Sequence, residues 1–188
     1  MLTKSDVASA LHGSSCRYDG LQHMSEPAFT IRSFTPGDSD PCRCLYTDGL
    51  ISGKNADNDT GLDIDDIHSA YIKVEGNHFW VACAGDAGVV GMIGVMLSEG
   101  TGEIRRLRVR EDHRRRGIGS ALLEHAVAFC QEHNYLKIAI DTFVDTQAAI
   151  KMLEKFHFLH GKTRNYAGKE LLYFYLDLYS SERKDGEA

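Results

Sequence analysis

Seven of the twelve residues from Arg105 to Arg116 are arginine, and the run closes on Arg114-Arg115-Arg116-Gly117-Ile118-Gly119-Ser120. Ile118, Ala121, Leu122, Ala126, Phe129 and Cys130 then recur at helical spacing, which predicts a helix from about Gly117 to His133 with its first turn left open. A helix start presents backbone N–H groups without internal partners and a positive potential. Gly117 and Gly119 remove the side chains that would keep a pyrophosphate away, so the segment is suited to cradle a small anion. The plainer alternative is a glycine-shaped turn beside a solvated charge run. The context favours the cradle, because a strand ending at Val109 leads in and a helix leads out. A nucleoside-triphosphate loop would need G-x-x-x-x-G-K-S/T, which is absent, and a dinucleotide fold would place its glycines after the first strand.

The elements that must position this loop can be read on either side of it. Phe29–Phe34 alternates as a half-buried strand, and Thr35-Pro36-Gly37-Asp38 turns the chain into a helix ending near Ile51. Gly53–Gly61 reads as a polar loop, and Leu62, Ile64, Ile67, Ala70 and Tyr71 as a helix closed by Gly76. Strands follow at Phe79–Cys83 and Val89–Leu97, joined by a Gly-rich hairpin turn, then at Glu103–Val109. After the glycine helix come a strand at Leu136–Asp141, a helix at Thr146–Phe156 and strands near Phe158–Tyr166 and Leu171–Leu178. Leu107 and Val109 share one strand parity and Ile104 the other. Burying all three predicts a β-bulge within Arg105–Leu107, the alternative being that Ile104 or an arginine sits at a strand end. The order of elements predicts an α+β (mixed α/β) domain with parallel pairing around the central helix.

Composition narrows the partners. The 188 residues are 43% hydrophobic with a net charge of -6, enough for one core and an argument against nucleic acid as the main partner. Residues 1–100 hold 6 Lys/Arg against 14 Asp/Glu, and residues 101–188 hold 15 against 13. No apolar run approaches membrane-spanning length, and Met1–Asp6 lacks a secretory pattern, so a cytoplasmic protein is expected. Residues 1–26 read as a partly ordered extension with a short helix at Ser5–Leu11, 27–180 as the domain and 181–188 as a flexible tail. Neither the Cys42-Arg43-Cys44 pair, with Cys16, Cys83 and Cys130 isolated, nor the acids of the 53–61 loop has the spacing of a metal site, and no metal is expected.

The loop and its surroundings resemble the GNAT acyltransferase superfamily, whose coenzyme A signature Arg/Gln-x-x-Gly-x-Gly/Ala is matched by Arg114, Gly117 and Gly119. The resemblance runs from about Phe29 to Leu178 and is strongest over Gly102–Phe158. It implies a twisted sheet of six or seven mostly antiparallel strands, whose fourth and fifth are parallel but splayed, with acetyl-coenzyme A as co-substrate in the gap. The residues it assigns to the coenzyme are Leu107, Arg108, Val109, Arg114, Arg115, Arg116, Gly117, Ile118, Gly119, Ser120, Thr146, Ala149 and Lys155.

The same resemblance implies direct attack of an amine on the thioester in a ternary complex, with a bulge N–H polarising the carbonyl. Glu103, heading the fourth strand, is the expected base. Where relatives carry Asn, Tyr and Gly in the helix after the fifth strand, this chain has Thr146, Leu153 and His157. Leucine cannot donate a proton, so His157, Tyr166 and Tyr173 are the substitute candidates. The acceptor site should draw on residues 37–72 and the last strands, and the acidic balance there leans toward a small cationic amine. A peptide or protein N-terminus is the alternative acceptor; a coenzyme sensor without turnover and an acidic interaction module are the non-enzymatic readings. A homodimer is left open.

Overall fold

A computed structural model describes residues 28–48, 59–144, 146–166 and 168–179. The expected N-terminal extension, most of the 53–61 loop and the C-terminal tail lie outside the described residues, as does the side chain of Tyr166.

Seven strands form one sheet in the order β1-β2-β3-β4-β5-β7-β6. They are β1 (Thr30–Ser33), β2 (His78–Cys83), β3 (Val89–Ser98), β4 (Thr101–Val109), β5 (Lys137–Phe143), β6 (Leu159–Tyr166) and β7 (Lys169–Asp177). All neighbours are antiparallel except β4 and β5. The helices are α1 (Ser39–Asp48), α2 (Leu62–Asp65), α3 (Ile118–Glu132) and α4 (Gln147–Lys155). The α3 crossover carries the chain from β4 to its parallel neighbour, as a parallel pair requires.

Each face of the sheet has its own core. Ile118, Leu122, Leu123, Ala126 and Cys130 of α3 pack with Ile93, Ile104, Ile138 and Phe174, together with Leu153 of α4. On the other face Cys42, Leu45 and Tyr46 of α1, Ile64 of α2, and Ile67 and Tyr71 pack on Phe79, Val81 and Met92. Gly94 of β3 makes the second core possible: a Cβ there would stand 2.6 Å from the Tyr71 ring and 2.9 Å from Phe79.

The helix expected to run on from Leu62 is broken. Asp66 leaves helical geometry at φ -138°, ψ 72°, and His68–Ile72 continues as one wide π-type turn. The interruption lets α2 aim Asp63 at the sheet while Tyr71, fully buried, donates its hydroxyl to Asp63 at 2.6 Å.

Candidate active site

The bulge lies where strand parity requires it. Gly94 opposes Arg105 and Met92 opposes Arg108, so one β3 residue faces Arg106 and Leu107 together, and Arg106 takes φ +58°. The extra residue resets the alternation. Ile104, Leu107 and Val109 all contribute to the α3-side core, while Glu103, Arg105, Arg106 and Arg108 line a cleft on the opposite face.

Beside the bulge the parallel strands part. β4 and β5 pair only through Thr101–Lys137, Gly102–Ile138 and Glu103–Ala139, although β4 continues to Val109 and β5 to Phe143. Glu103 therefore stands on the last rung, and beyond it the facing edges have no ladder partners in each other. The cleft, about 520 Å³, is bordered by Asp59, Glu103, Arg105, Arg106, Arg108, Asp141, Leu171 and Tyr173 among others.

The charges in this cleft are mostly matched. Arg105 donates to Glu103 at 2.8 Å. Arg106 reaches both Asp59 oxygens at 2.7 Å and also binds Asp63, with its guanidinium 4.8 Å from the centre of the Tyr46 ring. Burial alone would lower the Arg106 guanidinium, but the two aspartates outweigh it and raise it above its ordinary value. This knot ties the bulge to α2 and the segment before it. Sequence reasoning missed it, having read Asp59 as loop polarity; the only available signal was a bulged position filled by arginine beside an acidic helix start.

Asp141 was also missed. Its carboxyl is held above the usual carboxylate value, first by desolvation, with Arg164 pulling down and Glu103 pushing further up. A carboxylate so placed is a better proton acceptor than an ordinary one.

The glycine loop lies past the end of β4. Gly117 takes φ +82° as the residue before α3, a left-handed conformation that glycine adopts without steric cost. The amides of Ile118, Gly119 and Ser120 open the helix and have no intrahelical acceptors. Arg110 is held by Asp112 at 2.8 Å, and this contact with His113 keeps the Asp112 carboxyl well below the usual range. Arg114, Arg115 and Arg116 form no ion pair among the described residues; Arg114 donates instead to the Val109 carbonyl at 3.1 Å, and Arg116 to that of Asp112 at 3.0 Å. Three cations beside three free amides fit a pyrophosphate, so this end of the gap suits coenzyme A. A Cβ on Gly119 would meet Met152 Sδ at 3.7 Å, which sets α4 against the opening of α3. Thr146 precedes α4, Ala149 lies in its first turn and Lys155 is exposed in its last.

The candidate proton donors separate. Tyr173 lines the cleft, directly across from Asp141. His157 is exposed after α4, is not among the residues lining the cleft, and takes φ +63°. That conformation explains why a glycine suits this position. Leu153 is fully buried in the α3-side core. Burial pushes the thiols of Cys42 and Cys130 up to about 12, so neither supplies a thiolate near neutrality.

The splayed parallel pair, the bulge and the glycine loop define an acetyltransferase domain, and residues 46–158 match the acetyltransferase (GNAT) family, to which the chain belongs. Relatives include N-acetylaspartate synthetase of Rattus norvegicus, 35% identical over 100 residues, covering 52% of this chain and 33% of that protein. N-acetyltransferase 8 of Homo sapiens is 30% identical over 102 residues, covering 51% of this chain and 44% of that protein. The matched stretch is thus a third to just under half of each relative's length. Among solved structures, a GNAT-family acetyltransferase from Staphylococcus aureus Mu50 superimposes with a TM-score of 0.70 at 20% identity, over 80% of this chain and 99% of that one. Ard1 from Thermoplasma volcanium does so at 0.67 and 24% identity, over 80% and 98%. No described helix is long and apolar enough to cross a membrane.

Proposed function

We propose that this domain binds acetyl-coenzyme A along the β4 edge and transfers its acetyl group to the amino group of a small molecule. The observation that carries the reading is the parting of β4 from β5 after Glu103, with the bulge on one side of the opening and the glycine loop at its end. The loop amides and Arg114–Arg116 hold the pyrophosphate. Backbone N–H groups released by the bulge polarise the thioester carbonyl, and positioning within one ternary complex supplies much of the rate.

Glu103, directly or through water, takes the proton from the attacking amine. The amine nitrogen bonds to the acetyl carbon, the carbon–sulfur bond breaks, and Tyr173 returns a proton to the departing thiolate. Of the acids in the N-terminal half, Asp59 and Asp63 already hold Arg106, so neither offers a free charge to a cationic acceptor.

The test is thiol release from acetyl-coenzyme A with a panel of small amines and N-terminal peptides. Turnover with small amines is expected. Turnover confined to peptides would move the acceptor to a protein N-terminus, and coenzyme binding without thiol release from any acceptor would favour a sensor.

A further inference from the structure

Matching the charges around the cleft leaves one guanidinium over. Glu103 holds Arg105, and Asp59 and Asp63 hold Arg106, but Arg108 has no carboxylate within ion-pair distance among the described residues. Its Nη1 donates to the Leu107 carbonyl at 3.1 Å, and its Nε is buried without a partner. A partly buried guanidinium held by no ion pair is costly, and the charge of Asp59 offsets that cost only from beyond ion-pair distance. Burial, and after it the charge of Arg106, pushes Arg108 below the ordinary arginine value.

The bulge puts it there. Without the extra residue, Arg108 would fall on the parity of Ile104 and face the α3-side core. It lies instead between the cleft and an adjoining depression of about 570 Å³, bordered by Leu45 and Asp48 of α1 and by Arg114.

We propose that Arg108 recognises a carboxylate on the acceptor, which makes the acceptor an amino acid or similar carboxylate-bearing small amine. This rests on the transfer reading above and deepens it. The planar guanidinium fork suits a bidentate carboxylate. Asp141, which forms no ion pair among the described residues, faces the same cleft, so the charge pattern complements a molecule carrying both an amine and a carboxylate. A coenzyme phosphate is the other source of such an oxyanion, but the loop of Arg114–Arg116 already offers it a helix start and three cations with no ion pair among the described residues.

The test compares wild type with Arg108→Gln in the full chain. Calorimetry with coenzyme A should give affinities within about twofold of each other; a loss of about tenfold or more would hand Arg108 to a coenzyme phosphate and overturn the proposal. With thiol release as readout, wild type should prefer amino acids over their carboxamides by about tenfold or more in kcat/KM, and the variant should lose that preference through KM. A wild type indifferent to the carboxylate, or a variant that keeps the preference, overturns it.

N-acetyl amino acids, titrated into coenzyme-loaded protein, provide a readout that needs no turnover. Saturable binding that weakens about tenfold in the variant is expected, and its absence sinks the carboxylate site whether or not any amine is acetylated. Thiol release failing while this binding holds would count against the transfer reading alone. Should Arg108→Gln not fold, Arg108→Lys, which keeps the charge and loses the fork, takes its place and should lose part of the preference.

Discussion

Asp141 of β5 pairs directly with Tyr173 of β7, so a carboxylate with a raised proton affinity and a phenol share one face of the sheet at the cleft. Glu103 stands on the last rung between β4 and β5, opposite Ala139 and two residues from the level of Asp141. Period-two alternation then puts all three groups on the same face. A proton donor and two proton acceptors thus border an opening made by the divergence of two strands, without any being drawn from a loop.

The coenzyme cradle is tested by Gly119→Glu. Gly119 sits in ordinary van der Waals surroundings, its nearest prospective contacts being Val109 Cγ2 at 3.6 Å and Met152 Sδ at 3.7 Å, so a side chain can be added without collapsing the packing. A carboxylate at the opening of α3 would repel the coenzyme's phosphates. Coenzyme A binding, followed by calorimetry, should be abolished while the melting temperature changes little. Unchanged affinity in a folded variant would dismiss the cradle.

His157→Gly should stabilise the protein. A left-handed conformation costs a non-glycine residue roughly 1–2 kcal/mol, partly offset here by the greater chain entropy of glycine. The expected gain is up to about 1 kcal/mol, a rise of about 2–4 °C in melting temperature for a chain of this size. A fall in turnover of about 100-fold with unchanged coenzyme affinity would instead restore His157 as the proton donor.

Acid stability should depend on Asp38. This residue is 5% exposed, and Arg32 holds it at 2.7 Å, with Thr35 donating from both its amide and its hydroxyl. The arginine contact lowers the carboxyl from 3.8 to about 2. A depressed folded value stabilises above the unfolded value and loses that contribution as pH falls from about 4 toward 2. Urea melts should lose about 2 kcal/mol over that interval, and Asp38→Asn should lose a similar amount at neutral pH and flatten the acid limb. An unchanged acid limb in the variant would remove Asp38 from the account.

The legible parts of the sequence were those with a period or a unique backbone need. The α3 stripe, the conflicting parities of Ile104 and Leu107, and the glycines before the helix led to α3, the bulge and the loop. The Arg106 knot was hidden because its acids lie more than 40 residues upstream, where local reading sees only polarity. Asp141 was hidden because a strand-end aspartate acquires its raised proton affinity only from tertiary neighbours. The α2 break was hidden because Leu62–Tyr71 does satisfy helical spacing, and contacts of Asp63 and Tyr71 override it.

The proposed proton path rests on Tyr173 as donor and Glu103 as acceptor. Thiolate, with a reference pKa of about 8.5, is a tolerable leaving group near neutrality, so loss of the donor should slow the reaction without preventing it. Installing tyrosine at Leu153 would be a poor test, since that side chain is fully buried and enlarging it would overpack the core at a cost of roughly 1–3 kcal/mol. Removing Tyr173 is cleaner. Tyr173→Phe should lower kcat by about 100-fold or more with coenzyme affinity unchanged, and a silent substitution would leave solvent as the donor. Glu103→Gln should cost at least as much, while Asp141→Asn should cost less than about tenfold. A reversed order would make Asp141 the base. Its pH profile would then identify it independently: kcat/KM would fall with decreasing pH through a value above the usual carboxylate range, and that limb would vanish in Asp141→Asn.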